Sequence, residues 1–346
     1  MKVGMYYNNR DVRVEEKLIP EVGDNDLLIK TMASGICGSD LMEWYRIKKA
    51  PLVLGHEIAG EVVDVGKKVE KYHKGDRVFA THHVPCNACR LCLMRHETAC
   101  EAFHTKNYFT PGGFSEYLRV SGKSVETGML RLPDEMTYEQ GTFIEPLGTV
   151  VRCFRKADFL YGESVLVIGA GVAGLLNIRL AKTLGAGNII ATDLNAYRLD
   201  AAKKSGAAYA LSVTEATPGL IQDVNKGCLV DKVILCTSSK SAAEQALDSV
   251  GKGGTIIFFA VPKPGEMPEI DFNNYWRNDV SLKTTYGAAP SDNQEAMRLI
   301  RAKKICVNDL ITHRLPLEKI AEGFRLAGEG KECLKVMIQP HQNDRF

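Results

Sequence analysis

Long apolar stretches are missing from this sequence: its most hydrophobic windows, residues 164–168 and 255–261, fall well short of the roughly 18 apolar residues a bilayer span needs. A membrane-spanning helix is therefore not expected, and the polar first ten residues do not read as a secretory leader. Charge of one sign is missing too. The 44 basic and 42 acidic residues are well mixed and leave a formal net charge of +2. Because no basic run is interleaved with aromatics, the electrostatic footprint of a nucleic-acid binder is absent. No long Pro-, Ser- or Gln-rich tract occurs, and 45% apolar with 25% charged residues is ordinary for a folded protein. These absences predict a cytoplasmic protein, folded throughout, with neither nucleic acid nor membrane as partner. Its 346 residues suggest about two domains.

Cysteine, by contrast, is present and unevenly placed. Of ten cysteines, Cys86, Cys89, Cys92 and Cys100 crowd into one short segment. A secreted disulfide scaffold would spread its cysteines through a small domain, so clustered thiols in a chain of this size point to metal. Zinc takes four tetrahedral ligands, and CxxCxxC with a fourth Cys eight residues on can close around it with no open position, the structural type of site. A redox pair would need only two thiols. The wide last gap does not match a ferredoxin iron–sulfur run.

Up to about residue 150 the chain reads as short strands punctuated by glycine, at 26–31, 59–65, 77–80 and 113–120, the pattern of a barrel-like β lobe without prominent helices. From 151 to 287 it alternates instead. Apolar runs at 165–168, 188–192, 232–236 and 255–260 are interleaved with helical stretches at 171–184, 196–205 and 241–250, which predicts a doubly wound parallel sheet. Residues 288–346 are mixed, with helices expected at 293–302 and 318–327 and a closing strand at 334–339, and are expected to rejoin the first lobe. The fold class is α/β, with a β-rich catalytic domain and a cofactor domain.

Between the first strand and first helix of the alternating half lies Gly169-Ala170-Gly171-Val172-Ala173-Gly174. GxGxxG says little alone, but here a buried strand precedes it, an apolar helix follows, and Asp193 ends the next strand about 20 residues on, as a dinucleotide fingerprint requires. Gly169 permits the tight turn, Gly171 lets backbone approach the pyrophosphate, and Gly174 lets helix pack on strand. The Asp193 carboxylate can accept from ribose hydroxyls and would repel a 2′-phosphate, so NAD is expected over NADP. Arg198 either stacks on adenine, serves a phosphate, or lies on a solvated helix face.

A second constellation is dispersed: Cys37, His56, Glu57 and Glu145. Singly these read as a buried Cys, a core His and surface acids. Together they offer one soft and two or three harder ligands, enough for a zinc that keeps an open position and so acidifies an alcohol hydroxyl.

The segment Gly55-His56-Glu57-Ile58-Ala59-Gly60, with Gly66, Val69 and Gly75-Asp76 after it, resembles the zinc signature of medium-chain alcohol dehydrogenases. Gly35-Ile36-Cys37-Gly38-Ser39-Asp40 and Phe143-Ile144-Glu145-Pro146-Leu147 resemble ligand segments of the branch that holds the sorbitol, galactitol-phosphate and threonine dehydrogenases. The likeness runs over essentially the whole chain, including the four-Cys segment and the stretch 311–317. It implies a GroES-like catalytic lobe built from both chain ends and an inserted Rossmann lobe, with the active site in the cleft, in subunits that commonly form dimers or tetramers. By position, Cys37, His56 and Glu145 would hold a catalytic zinc, with Glu57 beside it, either ligating or exchanging with water. With the four-Cys site this makes two zinc ions per chain. Ser39 would take the alcohol proton and pass it to the cofactor ribose, Thr149 would lie against the nicotinamide, and the loops at Cys236-Thr237 and Ala260-Val261 would line it.

One departure stands out. Many relatives carry a proton-relaying His where this chain has Met42, which cannot carry a proton. The relay must end in ribose, water or another group such as Asp40; galactitol-phosphate dehydrogenases lack this His as well. With Glu145 rather than Cys, the third ligand resembles that of polyol and sugar dehydrogenases, a likeness that implies a hydroxyl-rich small-molecule alcohol over ethanol; a threonine-type amino alcohol is the alternative substrate. A non-catalytic NAD-binding protein is the alternative from another class. Trp44 and Tyr45 belong either to the pocket or to barrel packing. Arg46, Lys48 and Lys49 either suit a phosphorylated or acidic substrate or are simply solvated.

Overall fold

The computed structural model describes residues 1–266 and 268–342. Contacts divide the chain into two units, one made of Met1–Gly148 with the segment from Gly287 onward, the other of Thr149–Tyr286.

In the first unit the Leu27–Gly35 strand is the hub. It pairs antiparallel with Glu57–Val65, with Tyr117–Val120 and with the closing strand Lys335–Gln339. Alternation along these strands turns Leu27, Ile29, Ile58, Val62, Val78 and Leu118 into one core. A second core gathers Tyr6, Phe114, Phe324, Val336 and Ile338, so chain-terminal segments pack on the same side chains as the amino-terminal strand. That strand, Lys2–Asn8, and its partner Asp11–Glu16 fall where the sequence reads as polar; the run from Val3 to Tyr6 is nonetheless buried. Short helices at Gly122–Thr127 and Tyr138–Thr142, too brief to leave a periodic pattern, also interrupt the expected all-β lobe.

The hub strand ends where the site begins. At Gly35 the register brings Glu57 opposite on one side and Met337 on the other. A Cβ at this position would run into the Glu57 carboxylate and lie 2.6 Å from Lys335 Cε, so only glycine leaves room for that pair of side chains.

The second unit holds a six-stranded sheet. Its strands are β1 (Ser164–Ile168), β2 (Asn188–Asp193), β3 (Tyr209–Ser212), β4 (Val230–Leu235), β5 (Val250–Phe258) and β6 (Ser281–Thr284). All neighbours are parallel, in the order β3-β2-β1-β4-β5-β6. Helix α1 (Val172–Thr183) follows β1 and α2 (Ala196–Ser205) follows β2. Every residue of β1 is buried, as expected of a central parallel strand covered on both faces. The order reverses between β1 and β4, which is where a doubly wound sheet opens a crevice at its carboxyl edge.

Candidate active site

The four clustered thiols converge in the first unit. Cys86 and Cys92 sulfurs are 3.8 Å apart and Cys89 and Cys92 sulfurs 3.5 Å. A tetrahedron with zinc–sulfur bonds of about 2.3 Å has sulfur–sulfur edges of about 3.8 Å, so the donor set fits zinc. Backbone N–H groups of Ala88 and Cys89 point at Cys86 Sγ at 3.5 and 3.3 Å. They pull its pKa down to about 6, which favours the thiolate that metal binding needs.

The second donor group forms where the Gly35 end of the hub strand turns. Cys37, His56 and Glu57 each present a ligand atom, all within 4.8 Å of one another. Cys37 is the cap of a single turn, Gly38–Leu41, and its backbone N–H donates to Asp40 Oδ2 at 3.0 Å. Asp40 is wholly buried, and its other oxygen lies 3.4 Å from His56 Nδ1, so it aims the imidazole through one ring nitrogen and leaves the other for a metal. Glu145 is not part of this close group. It sits in the first turn of the helix Ile144–Ala157, near enough for its titration to respond to His56, Glu57, Lys335 and Asp40. Loss of solvation is the main cause that raises its carboxyl to about 7. A carboxylate so poorly solvated calls for a cation, and soft sulfur, imidazole and carboxylate together make a zinc set with room for an open position. Thr149 follows one turn later on the same helix.

Two neighbours escaped the sequence reading. Lys335, 3% exposed, donates to the Ile36 carbonyl at 3.0 Å and to the Glu57 carboxylate, which is 1% exposed. Burial alone would lower the lysine's pKa, but Glu57 and Cys37 more than offset it, so the net shift is upward and the pair stays ionic. A lone lysine in the apolar strand Lys335–Gln339 was the available signal. His82 follows strand Arg77–Ala80; its ring centroid is 5.2 Å from that of His56. Its Nδ1 is buried with no hydrogen-bond partner among the described residues. Burial pushes its pKa far down, so the ring is neutral and offers one donor and one acceptor.

Ser39 Oγ donates to Cys37 Sγ at 3.4 Å and accepts from Arg46 Nη2 at 3.1 Å. Of the basic residues read as either substrate contacts or solvated, Arg46 is turned inward with its side chain 15% exposed, whereas Lys48 and Lys49 are exposed. Tyr45 is at the surface, its ring 4.9 Å from Arg46 Cζ.

In the second unit the glycine turn closes β1 onto α1. Gly169 has φ +94, which glycine adopts without strain. A Cβ on Gly171 would meet nothing within 4 Å, whereas one on Gly174 would collide with the Gly169 carbonyl. Open space thus lies at the helix N-terminus, where the first N–H groups of Val172, Ala173 and Gly174 lack intrahelical acceptors. This suits a pyrophosphate. Asp193 ends β2, with Oδ2 accepting from Ala170 N–H at 2.7 Å and Oδ1 from Asn195 N–H at 2.9 Å. Each oxygen keeps a lone pair for a ribose hydroxyl. Arg198 lies on α2, partly buried. Cys236-Thr237 follows β4 and comes against the turn, the Thr237 Cβ lying 3.2 Å from a Cβ built on Gly169. Ala260 N–H donates to the Leu235 carbonyl at 2.9 Å, which brings Ala260-Val261 to the same edge.

Comparison with known proteins agrees with this chemistry. Residues 23–134 match the alcohol dehydrogenase GroES-like domain, and residues 172–302 match the zinc-binding dehydrogenase family. The chain belongs to the zinc-binding alcohol dehydrogenases, and is a zinc-dependent oxidoreductase using a nicotinamide dinucleotide. Within that family it is 33% identical to the sorbitol dehydrogenase of Mus musculus over 345 residues, 97% of this chain and 94% of that protein. Among solved structures, galactitol-1-phosphate dehydrogenase from Escherichia coli superposes with TM-score 0.85 at 28% identity, covering 98% of this chain and 100% of that one. The 2R,3R-butanediol dehydrogenase from Bacillus subtilis gives 0.86 at 27% identity, with coverage of 98% and 99%. The expected joining of a GroES-like lobe with a parallel doubly wound sheet is thus found. No described helix is long and apolar enough to cross a membrane.

Proposed function

We propose that the chain oxidises a secondary alcohol of a hydroxyl-rich small molecule, a polyol, sugar alcohol or its phosphate, to the ketone, reversibly and with NAD. The observation that carries this reading is the Cys37, His56 and Glu57 donor group with the Ser39 hydroxyl bonded to its sulfur. Cys37 and His56 would hold the catalytic zinc with Glu145, and Glu57, which Lys335 engages, would either ligate it or give way to water. Cys86, Cys89, Cys92 and Cys100 would hold the second ion. Zinc supplies a Lewis acid that eases deprotonation of the alcohol, and NAD supplies the hydride acceptor.

The chain's own part is to position and to move a proton. Asp40 aims His56, Ser39 accepts the proton the alcohol gives up, and His82 would offer a further substrate hydroxyl the ring nitrogen that has no partner among the described residues. That last contact supports a polyol over a simple alcohol, because a buried polar atom left unpaired is costly. With Met42 in place of a histidine, the proton leaves Ser39 for a hydroxyl or water. Thr149, Cys236-Thr237 and Ala260-Val261 would border the nicotinamide. Strands β3 and β6 end the sheet, each with one edge unpaired among the described residues, which supports pairing with a second copy in a homodimer or homotetramer.

The test is NADH formation across sorbitol, galactitol, inositols, their phosphates, short diols and L-threonine. Turnover of a polyol or its phosphate is expected; activity on threonine alone would replace this reading with the amino-alcohol one. For the cofactor, Asp193→Asn keeps the size of the side chain and removes its charge. It should raise the KM for NAD about 10- to 100-fold, the worth of a charged hydrogen bond, and narrow the gap to NADP. An unchanged NAD-to-NADP ratio would mean another group sets the choice.

A further inference from the structure

We propose that Arg46 is a positioning residue for the reaction, holding the Ser39 hydroxyl in the single orientation that passes a proton onward; this rests on the proton path proposed above. The geometry is a fork. Arg46 Nε donates to the Ser39 carbonyl at 3.0 Å while Nη2 donates to Ser39 Oγ at 3.1 Å, so one planar group grips both main chain and side chain of the same residue. The guanidinium is itself fixed, with Asp40 Oδ1 at 3.7 Å and the Tyr45 ring beneath it.

The consequence follows from hydrogen-bond polarity. Serine has one O–H donor and two acceptor lone pairs, and an arginine in a protein never gives up its proton. Arg46 therefore always donates, so it occupies one lone pair of Oγ and can never take the serine's proton. The O–H rests on Cys37 Sγ at 3.4 Å, so what stays open on Oγ is one lone pair, the entrance, while the proton on the sulfur side is the one to be passed on. In the oxidation step the alcohol O–H bond breaks and an O–H bond forms at the free lone pair. The proton already on Oγ leaves for a water or another hydroxyl, and bound NAD would take the carbinol hydrogen with its two electrons as hydride. Without Arg46 the hydroxyl can swing its O–H off Cys37 Sγ toward the substrate and block the transfer. Since position 42 is methionine, nothing there can supply this direction, and the fixed cation does it from position 46. The Arg46 cation also stands beside the negative charge that crosses Oγ during the transfer.

The experiment is a double-mutant cycle on the zinc-loaded enzyme, comparing wild type, Arg46→Met, Ser39→Ala and the double variant. It uses NAD with D-sorbitol, or the panel alcohol turned over fastest. Zinc content and thermal midpoint are recorded for each variant, and Arg46→Lys is carried alongside as a charge-preserving second variant. Arg46→Met is expected to lower kcat about 10- to 100-fold, with little change in KM and with full zinc. In the Ser39→Ala background it should cost almost nothing, because the two residues act as one unit. The solvent deuterium effect on kcat should rise in Arg46→Met, and Arg46→Lys should recover part of the rate. If Arg46→Met loses zinc or does not fold, Arg46→Lys decides through the same cycle: a loss confined to the Ser39 background supports the proposal. An equal loss with and without Ser39, or no loss at all, overturns it and leaves Arg46 a partner of Asp40. A fully active Ser39→Ala enzyme, or no NADH from any alcohol, would instead sink the proton path or the dehydrogenase reading, and the proposal with it.

Discussion

Cys37→Ala lowers kcat about a thousandfold or more, the scale of losing a Lewis acid, while NAD binding stays close to that of wild type. The substitution removes the only sulfur of the donor group and, with it, the acceptor for both the Ser39 backbone N–H and the Ser39 hydroxyl, each at 3.4 Å. His56 and Glu57 are left without the soft ligand that suits zinc, and Ser39 loses an anchor at the same moment. The residues assigned to the pyrophosphate and ribose, Gly169 to Gly174 and Asp193, belong to the other structural unit. Nucleotide affinity, followed by fluorescence of bound NADH, should therefore hold while steady-state turnover collapses. Wild-type turnover in the variant would mean that Cys37 is an ordinary buried thiol.

With the Cys37 site free of zinc, Lys335→Met should cost about 3–5 kcal/mol of stability, because breaking a buried pair by removing one member strands the other charge. Glu57 would be left in a site 1% exposed, and the Ile36 carbonyl would lose its donor. For a unit of this size the loss corresponds to a thermal midpoint lower by on the order of 10 °C. The companion variant decides the cause. Glu57→Gln combined with Lys335→Met removes both charges, and should be clearly more stable than Lys335→Met alone. If the single variant unfolds at the wild-type temperature, Glu57 does not depend on Lys335 for its charge balance. If the double variant is no better than the single, the lysine acts through packing.

The unevenness of what could be read from the sequence has a physical pattern. The second unit was legible because its determinants are local: apolar runs such as 165–168 become β1, a glycine turn follows at once, and helix α2 falls where its periodicity predicted. The amino-terminal pair of strands was not, since Lys2–Asn8 is short, carries polar ends, and owes its burial to Phe114 and Phe324 from distant segments. In the donor group, Cys37, His56 and Glu57 were named from their chemistry and are found together. Lys335 was missed because its partner lies 278 residues away and no spacing rule spans such a distance. Arg46 was seen, but its two readings, a substrate contact or a solvated cation, were left open. On a loop with Lys48 and Lys49 nothing in the sequence separates it from them, and only the fold shows that it turns back onto Ser39 seven residues earlier. Asp40 is the intermediate case, adjacent to the donors in sequence, with a role that became clear only from its 3.4 Å approach to His56.

The central claim is that the dispersed Cys37 group, and not the four-Cys segment alone, binds zinc. Elemental analysis of wild type beside Cys37→Ala tests it directly. About two zinc ions per chain are expected in wild type, the sum of one closed and one open site, and about one in the variant. About one ion in both proteins would contradict it, leaving a structural zinc and no catalytic one.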